Sequence, residues 1–391
     1  MPGILDYLKW RGDISFEASP FNEVDNLIFS QLCFINFSNI VSESQEEFIP
    51  LHMAVRKALA KLGPKSKKLG FMIPEDIINL AQLLAITPRY RDILLCGFTS
   101  QTDKCIEVQF AALTAIISKK HIVVTYRGTD DTLVGWKEDF NMSLLDNIPS
   151  QKLSLEYLEL AAKMHKGKKI YVCGHSKGGN LAIYSATNCI CKTKRKIEAV
   201  YNNDGPGFKK EFFYTKKYLN IKSKIKTIIP QNAFVGLMFE QDEDTLNVVK
   251  STNIGAFQHD VFSWQVIGPG LEASTLTKDA INGKKAFNAW VEAMIYEERR
   301  ESINILFEFL SSSGATTLTE AFNNSPKLII TYRSLPEEKR KLVSESLKIF
   351  FHERIKNIIE PISPILKNIN TVIQNKKNKA QNKKNNDTTK E

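Results

Sequence analysis

Long apolar runs are missing from this chain of 391 residues. None approaches the roughly 18 to 20 consecutive apolar residues that a helix needs to cross a bilayer. The first residues, MPGILDYLKWRGD, carry Asp6 and Asp13 where a secretory signal would stay apolar. A cytoplasmic protein is therefore expected. Cysteine is sparse: the six, at 33, 96, 105, 173, 189 and 191, form no C-x-x-C pair and no cluster with histidine. That excludes the usual disulfide and zinc signatures, and it leaves reduced thiols packed as small hydrophobes. With 14 prolines, 19 glycines, 43% hydrophobic and 25% charged residues, the composition is that of a globular protein rather than a disordered one.

What the chain does have is positive charge, a net +10. Part of it sits in NKKNKAQNKKNNDTTKE, residues 375–391, where six lysines face only Asp387 and Glu391. This polar, repetitive tail is expected to be disordered. Two smaller clusters, KSKK at 65–68 and KTKRK at 192–196, read as solvated surface.

The pattern divides the chain into four regions. Residues 1–90 are expected to form a helical cap, because Val24, Leu27, Ile28 and Leu32 share a helix face and PEDIINLAQLLA repeats that spacing behind Pro74. Residues 91–270 form the expected core. It opens with β-branched and aromatic runs joined by short polar turns, which predicts antiparallel strands. Helices at 152–166, 178–189 and 209–219 then alternate with strands at 169–173, 197–202 and 224–229, which predicts a mainly parallel sheet with helices on both faces. Residues 271–374 read as a C-terminal helical region, followed by the tail at 375–391. The fold class expected is thus α/β with helical additions at both ends.

Within that core, Gly174-His175-Ser176-Lys177-Gly178 fits G-x-S-x-G, in which a strand turns sharply into a helix and lifts a serine hydroxyl clear of the sheet. The strand KIYVC before it and the helix GNLAIYSAT after it supply the setting that the motif requires. A serine hydroxyl needs a base, and a base needs an acid to fix its tautomer. Of six histidines, His175 adjoins the serine and is expected to point away. His52 and His165 lie in helical stretches, and His121 starts a strand. His259, in an irregular segment after the last strand–helix unit, is the candidate base, with His352 in reserve. Asp204 ends a strand before Gly205-Pro206-Gly207 and is the candidate acid, with Asp260, Asp242 and Asp244 as alternatives. An oxyanion hole needs two donors: the N–H of Lys177, and Thr129 at the end of HIVVTYRGT, by its N–H and its hydroxyl.

The segments VQFAALTAII, IVVTYRGTDDTLVGWKEDF and VCGHSKGGNLA together resemble the class 3 lipase-like α/β-hydrolases, most closely a bacterial branch classed as a domain of unknown function. The resemblance runs from DYLKWRGD to FQHDVFSWQV. It implies an α/β-hydrolase fold, a nucleophile at Ser176 and an oxyanion residue at Thr129. In two places the sequence departs from it. IIPQNAFVG has Asn232 where class 3 lipases carry their acid, which leaves that role to Asp204. Lys177 stands where a small or apolar residue is usual, either as a solvated lysine or as a cation that attracts an acidic head group.

The expected function is a serine hydrolase that cleaves a carboxylic ester, lipids included, through an acyl-enzyme. No metal or cofactor is expected. The helical regions are candidate lids with a peripheral membrane contact. The competing reading is a catalytically silent scaffold on a retained hydrolase fold, which Asn232 favours. Nucleic acid is supported by the lysine tail alone, and the oligomeric state is left open.

Overall fold

The computed structural model describes residues 2–62, 70 and 73–350. The chain forms two compact units, Met1–Arg300 and Glu301–Glu391. The KSKK cluster, the 375–391 tail and His352 lie outside the described residues.

The first unit is built on a sheet of eight strands that lie in chain order across it. These are β1 (Ile49–Pro50), β2 (Leu94–Asp103), β3 (Val108–Ile116), β4 (His121–Tyr126), β5 (Lys169–His175), β6 (Ile197–Asn203), β7 (Ile225–Pro230) and β8 (Leu246–Val249). β1 to β4 pair antiparallel and β4 to β8 pair parallel. This is the mixed, mainly parallel sheet of an α/β-hydrolase. β8 escapes a sequence reading because LNVV is too short to show a period.

Helices cover both faces. On one lie α1 (Ile4–Arg11), α2 (Glu23–Leu32), α3 (Leu51–Leu62) and α4 (Asp76–Leu84). Val24, Leu27, Ile28 and Leu32 all face Leu113, Val123, Cys173 and Ile228 of the sheet in one continuous core. The N-terminal helices are thus a layer of the sandwich. A buried ion pair fixes them, with Arg89 donating to Asp25 at 2.6 Å and to the carbonyls of Ile14 and Ser19. Charges removed from water are tolerated only when every donor finds an acceptor in this way.

Following β4 comes α5 (Leu133–Asn141). α6 (Pro149–Met164), α7 (Lys177–Asn188), α8 (Cys191–Lys196) and α9 (Lys216–Leu219) come next along the chain. α6 and α7 pack a second core, with Leu158, Ala161, Leu181 and Ala182 against Val124, Ile170 and Val172. The stretch expected as one helix at 209–219 is instead a 3-10 turn, Lys210–Tyr214, followed by the four residues of α9. Thr215 causes the break: it is extended, and its hydroxyl accepts the N–H of Tyr218 as an N-cap.

α10 (Lys278–Ala293) and α11 (Tyr296–Ser311) complete the helices up to the unit boundary, which falls inside α11. The second unit continues with α12 (Leu318–Asn323), α13 (Ser325–Ser334) and α14 (Glu337–Phe350), and Phe309 meets Tyr332 edge to face within it. Among the described residues, no helix is long and apolar enough to cross a membrane.

Candidate active site

β5 ends in a sharp turn, and Ser176 takes φ 57° and ψ −133°, in the left-handed half of the map that an L-residue avoids. The flanking glycines are steric necessities: a Cβ on Gly174 would stand 2.2 Å from the Gly178 carbonyl carbon, and one on Gly178 2.2 Å from the Tyr126 carbonyl oxygen. Hydrogen bonds hold the strained turn, with the Ser176 N–H donating to the Asn203 carbonyl and Gly179 N–H to the Ser176 carbonyl, each at 2.9 Å. Beneath it, the Asn203 amide donates to the Gly174 carbonyl and the Ser30 hydroxyl, and pairs with Asn26 of α2.

Asp204 continues β6 and is also at positive φ, 49°. Its carboxylate is fully buried. Oδ1 accepts the Gly236 N–H at 3.0 Å, and Oδ2 accepts from His259 Nδ1 at 2.7 Å. Burial pushes the Asp204 carboxyl above its ordinary value, against the opposing pull of the His259 bond and the Gly236 N–H. Because Nδ1 carries the proton, the lone pair of His259 lies on Nε2, the tautomer a general base needs.

The other acids are engaged elsewhere. Asp260 accepts the Phe262 N–H, and burial raises its carboxyl to about 6; Asp242 and Asp244 pair with Lys222.

His175 does not simply point away. Its ring lies over that of His259, centroids 4.4 Å apart, and its Nε2–H donates to the His259 carbonyl at 2.9 Å. Burial, then the neighbouring His259, lowers the His175 pKa well below its ordinary value, so this ring stays neutral. The loop that carries His259 is held further by Trp264, whose Nε1–H donates to the Gln258 carbonyl at 2.7 Å. Asn232 has a structural task there. Its N–H donates to Gln258 Oε1, and its Oδ1 accepts the Thr277 hydroxyl at the N-cap of α10.

The loop after β4 presses on the elbow: a Cβ on Gly128 would stand 2.6 Å from the His175 carbonyl and 3.0 Å from Ser176 Cβ. Thr129 follows directly. Its hydroxyl, expected as a second donor to substrate, donates instead to Asp139 Oδ2 at 2.5 Å. Burial raises the Asp139 carboxyl to about 6, opposed by Lys177 and the Thr129 hydroxyl.

Both sequence readings of Lys177 are corrected by the structure. The side chain is 1% exposed, and its Nζ donates to the Gln109 carbonyl (2.9 Å), Gln109 Oε1 (2.7 Å) and Glu138 Oε2 (2.9 Å). It is neither solvated nor free to meet a head group. Glu138 spends its remaining capacity on the N–H groups of Gln109 and Ser150. A lysine where an apolar residue is usual was the signal that a carboxylate is buried nearby, and the pair Glu138-Asp139 in GWKEDF supplies it. Among the described residues, no group of three or more His, Cys, Asp or Glu side chains could hold a metal ion.

A family profile, Mbeg1-like, matches residues 84–308, more than half of the chain, and spans Thr129, Ser176, Lys177, Asp204 and His259. The chain belongs to the Mbeg1-like family. No curated protein matches it in sequence. Among solved structures, this Mbeg1-like chain is similar to the M37 lipase at 16% identity, over 56% of its own length and 70% of that chain, with a TM-score of 0.36. It is also similar to a mutant form of MDLA from Penicillium cyclopium, at 14% identity over 61% and 92% of the two chains, with a TM-score of 0.34. For the Rhizomucor miehei lipase in its propeptide complex, the figures are 15%, 47%, 72% and 0.29. The α/β-hydrolase assignment of this Mbeg1-like chain rests on its own strand order.

Proposed function

We propose that the chain is a serine hydrolase that cleaves a carboxylic ester, on the pattern of the class 3 lipase-like enzymes. The observation that carries this reading is the 2.7 Å bond from His259 Nδ1 to the buried Asp204 carboxylate, from a loop and a strand end 55 residues apart. A buried Asp–His pair whose imidazole lies over that of the residue before a strained serine has no evident structural purpose.

In the proposed mechanism, Ser176 Oγ attacks the ester carbonyl while His259 Nε2 takes its proton. The N–H groups of Thr129 and Lys177 receive the developing oxyanion, and α7 adds the positive end of its dipole. As the C–O bond of the ester breaks, the His259 proton passes to the leaving alkoxide. Water, deprotonated by the same nitrogen, then splits the acyl-enzyme into acid and free serine. Asp204 stabilises the imidazolium formed in each half.

Fluorophosphonate labelling tests the reading: wild type is expected to label and Ser176→Ala is not, and an unlabelled wild type returns the chain to the scaffold reading. p-Nitrophenyl esters of graded chain length, run beside the serine variant, define the acyl group.

A further inference from the structure

β4, β5, β6 and β7 run parallel, so the segments that enter them meet at one edge of the sheet, opposite the edge that carries Ser176 and Asp204. Those segments are basic without exception: Lys119-Lys120, Lys166 to Lys169, Lys192 to Lys196, and Lys222 to Lys224. Sequence clusters that look separate and bland become one surface once the strands are aligned.

Part of this charge has a structural purpose. Lys168 donates to the Ser118 and Lys119 carbonyls, Lys194 to those of Thr187 and Lys217, Lys196 to Ala162 and Lys224 to Ile197. Lys169 pairs with Glu198, and Lys222 with Asp242 and Asp244. Glu159 is spent on the Ile190 N–H and the Thr193 hydroxyl. Lys119, Lys120, Lys166, Lys192 and Arg195 are exposed, and no carboxylate pairs with them among the described residues. The cations stand close enough to disfavour one another. After burial, Lys192 and Lys166 lower the Lys196 pKa; at His121 burial lowers the pKa, Glu198 opposes it, and Lys120, Lys169 and Lys168 add to the lowering. Beside them two aliphatic side chains stand in water, Ile190 at 61% exposed just before α8 and Leu219 at 55% at the end of α9. α8 and α9 are joined by the bond from Lys194 to the Lys217 carbonyl.

We propose that this edge docks the chain on an anionic lipid bilayer, with the unpaired cations on the phosphates and Ile190 and Leu219 entering the head-group layer. Basic residues interleaved with aliphatic ones match such a surface. A nucleic acid is served less well, because α8 has only six residues to offer a groove. Docking by this edge turns the Ser176 end toward the water phase, so esters reach it from solution or from a partner. The inference does not depend on the hydrolase reading.

The test is co-sedimentation of the full chain with vesicles of phosphatidylcholine alone or mixed with phosphatidylglycerol. Binding is expected only to the mixed vesicles, falling as salt rises. The variant Lys120→Glu, Lys192→Glu, Arg195→Glu alters exposed side chains only, and it should weaken binding by about 100-fold or more, at roughly five-fold per neutralised cation and more for reversal. Ile190→Ser should weaken it at high salt as well as low. Removal of residues 375–391 should leave most of the binding, and Ser176→Ala all of it. The proposal is overturned by absent binding to mixed vesicles, by a triple variant that binds as wild type does, by binding lost with the tail alone, or by duplex DNA or RNA displacing vesicles from this edge.

Discussion

The histidine pair shows how much a single side chain's surroundings decide. His175 and His259 are the same residue type with rings 4.4 Å apart, yet burial keeps one neutral while the other is bound to a carboxylate. Asp204→Asn keeps the shape but can stabilise no imidazolium and favours the wrong tautomer, so kcat against a nitrophenyl ester is expected to fall by about 10⁴-fold with KM little changed. Asp139 gives a pH signature. Its carboxyl, ordinarily 3.8, is raised to about 6, so the folded chain holds that proton more tightly than the unfolded one does. The resulting penalty is absent below about pH 4, grows as pH rises and is complete above about pH 6. Asp139→Asn should therefore match wild type in thermal unfolding near pH 4 and exceed it by up to about 2 kcal/mol at pH 7.5. Its labelling rate should fall, because an amide holds the Thr129 hydroxyl more weakly than a carboxylate does.

One helix, α5, reaches both proposed oxyanion residues, since Glu138 holds the side chain of Lys177 while Asp139 holds that of Thr129. A buried ion pair costs little when intact and much when halved. Lys177→Met leaves Glu138 charged and unpaired in the core, and urea unfolding should show a loss of about 3 kcal/mol or more. In Lys177→Met, Glu138→Gln that loss should shrink well below the sum of the single effects, because no lone charge remains. Sequence periodicity does not reveal α5. Its core Gly135 weakens helix propensity, and a run of nine residues is short for a 3.6-residue period to show.

At the scale of the first unit, the sheet separates the candidate site from the basic segments, with the strained serine at one edge and the cations at the other. Burial also sorts the thiols. Cys33, Cys96, Cys173 and Cys189 are buried, and desolvation pushes each to about 12, while Cys105 and Cys191 are exposed. The thiolate is the reactive form, so a thiol-selective disulfide reagent should titrate two groups rapidly in the folded protein and six in denaturant.

What the sequence determined by itself was local: strands from alternating β-branched runs, the elbow from glycines that admit no other side chain, and N-terminal helices from their apolar stripes. The pairing of His259 with Asp204 was also expected from their order along the chain. Only the tertiary structure decided where long side chains end. Lys177 read as a surface cation because sequence fixes the Cα and leaves some 6 Å of flexible stem free, and the direction of that stem is set by a glutamate 39 residues away. The basic edge likewise exists only after parallel pairing brings four distant segments into line, since net charge along a chain carries no information about which residues share a face.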